Sequence, residues 1–562
     1  MKKILVPAAA GAVLLGALAL PAQADSFDAV PHLVKDINPG TSSSTPKSSA
    51  KLGSRLVFNA YSADKGDEPW ITDGTSAGTK RIKDINPGIP DSDSSNYVAF
   101  KGKVYFVAHD ASGSKELWRT DGTSSGTTKV TKIPIGPSSS NDDPNRLTVV
   151  GSTLYFTAGT ATHHRQLWKT DGTWSGTHEI MIPGTTASLI GAGVDGLTKF
   201  GSKIVFGALT STGFEPWISN GSTGSGTHVI KNINTDTPTA GSNPTNFTVS
   251  GSKIFFAASG TANDVELWIT DGTSSGTKQV KNINVSGNNA SNPSNMIAYG
   301  GGVLFRATRG DAVADTGAEL WASNGTDAGT QMVRDIYAGP TGSNPQSLTL
   351  YKGAVYFTAG TASLGRELWT TTGRLSSTHI VKDIPSAAGG SSPAGLIVVG
   401  GKLMFDATSS GVDELWETDG TTAKTIQEPT VPGSGEQFPS VLGVVSNTLF
   451  ADIDDFGHGT ELWAYTTLPS KTTAVSKTSS ASDASHKKIY ISVKVTATGL
   501  TPSGTVVLTE GSATIGSATL SHGRASVHIT KALGKGTHTV IATYRGNVKA
   551  QRSTKTFTVK VK

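Results

Sequence analysis

Residues 116–127 read ELWRTDGTSSGT, and close relatives of this string return along most of the chain. Nine of the ten tryptophans fall in it: Trp70, Trp118, Trp168, Trp217, Trp268, Trp321, Trp369, Trp416 and Trp463, at separations of 48, 50, 49, 51, 53, 48, 47 and 47 residues. Upstream of each, a phenylalanine ends an apolar run such as KVYF, TLYF, KIVF or KLMF: Phe58, Phe106, Phe156, Phe206, Phe256, Phe305, Phe357, Phe405 and Phe450. The Phe-to-Trp distance is 11 to 13 residues in every unit but the sixth, where 16 marks a loop insertion.

One unit, residues 246–284, shows what repeats. FTVS is followed by a Gly-Ser turn, then KIFFAAS, a polar loop, ELWIT, the segment DGTSSGT and finally KQVKNI. That is four short strands in a meander, and a period of 40–50 residues with four strands per unit is the signature of a β-propeller. The Phe and Trp are expected to fill the space between adjacent blades, where large aromatics bury ~150–250 Å² each. The ends of the repeat complete each other: HLVKDINPG at 32–40 matches the last strand of a unit, as in RIKDINPG at 81–88, while the ninth unit stops after ELWAYTT without one. The fold expected over residues 25–467 is therefore all-β, a nine-bladed β-propeller closed by an N-terminal strand, which leaves no open edge to aggregate. An open solenoid is the alternative topology.

TDG lies between the third and fourth strands, where Asp-Gly or Asn-Gly supports a positive-φ turn and the Asp side chain accepts backbone N–H bonds. It appears as Asp73, Asp121, Asp171, Asp271 and Asp419, as Asn220 and Asn324, and as Thr372. Asn serves a turn at little cost but would abolish a catalytic carboxylate, so these residues are read as structural, as is the Glu of ELW. The pattern ELW-x-x-DGT, with a trailing GT and V-x-D-I-x-P-G, resembles the bacterial ELWxxDGT repeat family over roughly residues 30–467. The resemblance implies a propeller-like fold and export, and no common activity.

The first residues, MKKILVPAAAGAVLLGALALPAQA, pair Lys2 and Lys3 with an apolar run ending at Ala22-Gln23-Ala24. They read as a secretory signal over residues 1–24, so a secreted or cell-surface location is expected. No later stretch approaches the ~18 apolar residues of a transmembrane helix. With no cysteine in the chain, disulfides and thiolate metal sites are excluded. Residues 468–486 form a Ser/Thr/Lys-rich linker, and 487–562 carry regularly spaced strand and turn signals that suit a small β-sandwich, with Tyr544 expected to pack at a strand end. SGTVVLTEGSATIGSATLSHGRASVHITKALGKGTHTVIATYRGN resembles bacterial Ig-like repeats, covering roughly residues 472–562 and implying an Ig-like β-sandwich. Residues 471–562 hold fourteen Lys and Arg against Asp483 and Glu510, a balance of +12; the whole chain is +5, so residues 1–470 carry −7. A cationic domain of this kind suits the cell envelope or an anionic cell-wall polymer, with an affinity that falls as salt rises. Nucleic acid is not expected as a partner, because no aromatic-interleaved basic platform is present.

What recurs in every unit builds the ring, so a site is sought among residues that occur once. Loops joining second to third strands, and one blade to the next, share a face in propellers, and that face carries ATHHRQ (161–166), RGDAVADTGAE (309–319) and ADIDDFGHGTE (451–461). Candidate ligand residues are His163, His164 and Arg165, which suit a carboxylate or acidic sugar, with Asp311, Asp315 and His458. Asp452, Asp454 and Asp455 beside Gly457 come nearest to a cation site, and calcium is the one cofactor considered. Phe456 breaks the calcium-loop pattern, however, and its twelfth position is Trp463. The expected function is that of an exported, non-catalytic binding or adhesion protein for a carbohydrate or surface protein. The alternative is a polysaccharide hydrolase or lyase using loop carboxylates.

Overall fold

The structure, a computed structural model, describes residues 30–130, 143–159, 165–183, 193–237, 239–261, 264–285, 290–310, 316–386, 389–428, 440–466, 470–476, 490–497, 502, 504–511, 513–531, 533–544 and 553–561. The expected signal, residues 1–24, and most of the expected linker lie outside them. Up to Thr466 the described residues form nine four-stranded antiparallel sheets. Eight of them take their strands in chain order, as in Thr245–Ser250, Lys253–Ser259, Val265–Thr270 and Lys278–Lys281. In the remaining sheet, Ser440–Val445, Thr448–Asp454 and Thr460–Thr466 are joined by Val30–Lys35, which pairs antiparallel with Thr460–Thr466.

Apolar side chains of the second and third strands point alternately to the preceding and the following sheet. In eight units the recurring Phe and Trp are direct cross-strand partners, from Phe58–Trp70 to Phe405–Trp416. Both rings face the preceding unit: Phe156 and Trp168, stacked at 6.1 Å, pack on Tyr105 and Leu117. Such burial contributes roughly 2–3 kcal/mol per ring. The ninth unit departs from expectation. Its Trp463 pairs with Ala451, and Phe450 pairs with Ala464. The extra residue between Phe450 and Trp463 shifts the register by one, which turns a side chain to the opposite face. Phe450 thus leaves the preceding unit and packs with Phe58 and Trp70 of the first.

The Glu of ELW is a buried bracket. Glu266 Oε2 accepts Ile283 N–H at 3.0 Å and Ser291 Oγ–H at 2.6 Å, while Oε1 accepts Asn284 N–H and Ser291 N–H, both at 3.2 Å. One carboxylate thereby fixes the chain leaving the fourth strand and the Ser that leads into the next unit. Glu461 takes the same four donors from the far end of the chain: Ile37 N–H at 2.9 Å, Asn38 N–H at 3.3 Å, Ser44 N–H at 3.2 Å and Ser44 Oγ–H at 2.7 Å. Cations leaving the fourth strand reach over the next unit's Trp. Lys382 Nζ lies 5.5 Å from the Trp416 ring and donates to Thr425 O at 2.7 Å.

The C-terminal part forms a three-stranded sheet (Ser470–Ser476, Tyr490–Ala497, Arg524–His528) and a four-stranded one (Ala513–Thr519, Thr505–Glu510, Gly536–Tyr544, Ser553–Val561). Between them lies a core of Ile491, Val493, Val506, Leu508, Val527, Val540 and Tyr544. The strand Ser470–Ser476 corrects the expected boundary: its residues pair with Tyr490–Ala497, so the sandwich begins inside the stretch read as linker. The Ser/Thr-rich composition, without hydrophobic alternation, hid this strand.

Candidate ligand-binding face

In several units the described loop between second and third strands packs on the connection leaving its own unit. A Cβ on Gly66 would lie 2.4 Å from Ile89 O, and one on Gly213 2.5 Å from Ala240 O. The two sets of loops therefore share one end of the sheets, as expected.

Of the candidate ligand residues, His163, His164, Asp311 and Asp315 lie outside the described residues. Arg165 is half-buried and turned inward, donating to Thr157 Oγ1 at 2.9 Å and to Asp143 O at 3.4 Å. His458 Nδ1 lies 2.7 Å from Asp455 Oδ2, which holds the imidazole above its ordinary value. The aspartates of the DIDDFGH segment have separate tasks. Asp452 is cross-strand partner to Ser440, and burial pushes its carboxyl up to about 6. Asp454 accepts Phe456 N–H at 2.9 Å, and Asp455 accepts His458 N–H at 2.7 Å.

Among the described residues, the acidic group that converges is Asp67, Asp91 and Asp93, with ligand atoms within 4.8 Å of one another. Its members are engaged: Asp67 with Lys47 at 2.9 Å, Asp91 with the Asp67 N–H at 2.7 Å, and Asp93 with His109 at 3.3 Å. Asp67 lies near the start of the strand Gly66–Thr72, whereas its partners come from the connection 24 and 26 residues on.

The feature that sequence reading missed lies on the first strands of the sheets. Each of eight carries a residue of positive φ at its second or third position: Ser48, Asn96, Arg146, Gly196, Asn246, Asn295, Ser347 and Gly395. There the ladder to the second strand slips, as between Asn145 and Thr148 or between Thr245 and Thr248. Gly adopts this left-handed backbone freely and Asn more readily than other residues, which fits five of the eight positions. A threonine two residues on stabilises the bulge in several units, Thr148, Thr198 and Thr248 donating to Arg146 O, Gly196 O and Asn246 O at 3.0–3.1 Å. Bonds also run between units: Asn246 Nδ2 donates to Pro293 O at 3.3 Å, Asn295 Nδ2 to Pro345 O at 3.2 Å, and Arg146 pairs with Asp195 at 2.9 Å. Four adjacent first strands border an open hollow of about 490 Å³ lined by Asn96, Tyr97, Asn145, Arg146, Thr198 and Phe247 among others. The legible signal was an amide residue recurring one or two places before an aromatic, Leu or Met, as in SNY, NRL, TNF and SNM.

Residues 473–562 match the bacterial Ig-like domain (group 3) family. No curated protein sequence matches the chain. Similar solved structures include puromycin hydrolase, at 11% identity and a TM-score of 0.33, covering 68% of this chain and 61% of that one. The tricorn protease is 10% identical with a TM-score of 0.31, covering 72% and 46%. The β-propeller domain of the Trilobed protease from Pyrococcus furiosus, which has an open velcro topology, is 13% identical with a TM-score of 0.32, covering 58% and 95%. The chain thus spans 61% and 46% of the first two. These neighbours contain propellers, and at such scores they carry no argument about activity.

Proposed function

We propose that residues 30–466 are a closed nine-bladed propeller of the ELWxxDGT kind, in an exported protein whose loop-bearing face holds a carbohydrate without transforming it. The basic C-terminal domain associates with an anionic polymer of the cell envelope. Closure is supported by the first and ninth units, which meet through the same devices as their neighbours: a shared Phe cluster, the four-donor glutamate bracket, and mutual packing of their first strands. The observation that carries the ligand reading is the hollow between the first strands. It combines amides, hydroxyls and a guanidinium with the rings of Tyr97 and Phe247, a mixture that suits a polyhydroxylated ring compound. Asn96 is exposed and makes no side-chain hydrogen bond among the described residues, so its amide is available to a ligand.

The test is incubation of the purified protein with a panel of neutral and acidic polysaccharides, with and without EDTA. The reading expects retention of at least one glycan by a chain ending at residue 470, no new reducing ends, and indifference to EDTA. Asn96→Gly, which keeps the left-handed backbone and removes the amide, is expected to weaken that retention by about tenfold, the size of one or two hydrogen bonds. New reducing ends or an unsaturated-uronate absorbance would replace binding by hydrolysis or lysis.

A further inference from the structure

The two sheets of the C-terminal domain differ on their outer faces. In the three-stranded sheet, Ile491, Val493, Val495, Ala525 and Val527 point into the core. Alternation then turns Tyr490, Ser492, Lys494, Ser526, Arg524 and His528 outward. Register sets these six in three rungs: Tyr490 opposite His528, Ser492 opposite Ser526, and Lys494 opposite Arg524. The Tyr490 and His528 rings lie 5.1 Å apart between centroids, with Tyr490 45% exposed. Four residues of strand separate the aromatic rung from the cationic one, roughly 14 Å.

The cationic rung is the anomaly. Like charges directly opposite one another on a sheet destabilise it, and neither Lys494 nor Arg524 forms an ion pair among the described residues. The domain's one carboxylate among the described residues, Glu510, lies on the other sheet and is held by His538 Nδ1 at 2.7 Å. The outer face of that other sheet is mostly hydroxyl, with Thr539 opposite Thr558, Thr543 opposite Thr554, and Lys560 at its end opposite Thr537. Charge, hydroxyls and a ring platform therefore coincide on one face only.

We infer that this face is a binding site for an acidic polysaccharide built of pyranose rings. One sugar ring lies on the Tyr490–His528 platform, its hydroxyls reach Ser492 and Ser526, and the carboxylate of a sugar further along sits between Lys494 and Arg524 and cancels their repulsion. This locates, and rests on, the proposed association of the domain with an anionic polymer.

The test uses the full chain on immobilised polygalacturonate, with neutral dextran and inorganic polyphosphate alongside. Wild type is expected to be retained on polygalacturonate at low salt and released as salt rises. Lys494→Gln with Arg524→Gln should weaken retention by about tenfold, the size of two exposed charge contacts, and should leave the thermal midpoint equal or higher because a repulsion is gone. Tyr490→Ala should weaken retention without changing its salt dependence. Lys555→Gln with Lys560→Gln, on the other sheet, should bind as wild type. Retention on polygalacturonate that survives the Lys494/Arg524 changes, or survives Tyr490→Ala, overturns the site and leaves the broader reading of the domain standing. Retention on polyphosphate alone also overturns the site. Retention on none of the three at low salt overturns both.

Discussion

Asp121 Oδ1 accepts Thr123 N–H at 2.9 Å and Thr123 Oγ–H at 2.7 Å, and Thr123 Oγ1 in turn accepts Gly126 N–H at 3.0 Å. Asn324 does the same work with its single amide oxygen, accepting from Thr326 N–H at 3.0 Å and Oγ–H at 2.8 Å. Asp121→Asn should therefore shift stability by no more than about 0.5 kcal/mol. Gly126→Ala is different: a Cβ there would stand 2.1 Å from Asp121 Oδ1, and opening the turn to admit it should cost about 1–3 kcal/mol, read as a lower thermal midpoint. The glutamate brackets make a pH prediction. Burial pushes Glu68 up to about 7 and raises Glu215, Glu266, Glu319, Glu367 and Glu461, against the pull of their donors. A carboxyl raised above its unfolded value of 4.5 binds more protons when folded. The stability it contributes is complete below that value and is lost as pH climbs through the folded one. The thermal midpoint should fall from pH 5 to pH 8, and Glu68→Gln should flatten that slope. Gln166 already fills this place in the third unit, accepting Ile182 N–H at 3.3 Å. A midpoint that rises over the same range would contradict the bracket's electrostatics.

At the scale of the strand, the recurring Phe is not one residue type in one place. Phe405 is fully buried opposite Trp416, and Phe405→Ala should cost about 3–5 kcal/mol. Phe450 occupies the position that Met404 fills in the preceding unit, so Phe450→Met should cost less than about 1.5 kcal/mol. Comparable losses from the two changes, by thermal midpoint, would contradict the register assigned to the ninth unit. Strands and turns were legible because their signals are local: alternation, Gly-Ser turns, and the DGT segment. The register slip at Phe450 was not, since a spacing of 13 rather than 12 residues looks like a loop variant until the ladder shows which face each ring takes. The left-handed bulges of Asn96 and Asn246 escaped notice for a similar reason. Their meaning depends on neighbours about fifty residues away, such as Pro293 for Asn246. Among site candidates, sequence placed Asp452, Asp454 and Asp455 side by side, but alternation and turn bonding send their carboxylates to different partners. On the C-terminal sheet the cationic pair was visible only as net charge, because opposition of Lys494 and Arg524 is a fact of register.

For the molecule as a whole, the two C-terminal sheets share no strand among the described residues with the nine that precede them. A chain ending at residue 470 should accordingly keep the thermal midpoint of the repeat region within about 2–4 °C, the shift that ~1 kcal/mol produces in a large domain, and lose the retention on anionic polymer. The central claim is that the first strand seals the ring of repeats. His32 and Ala464 are cross-strand partners, in an antiparallel ladder whose Cα separations of roughly 4.5–5.5 Å match what a disulfide spans. Because the chain has no cysteine, His32→Cys with Ala464→Cys introduces a single possible bridge. Oxidation of the dilute double variant should give an intramolecular disulfide in nearly every molecule, with a raised thermal midpoint that falls back on reduction. Two free thiols, or only bridges between chains, would contradict a closed ring.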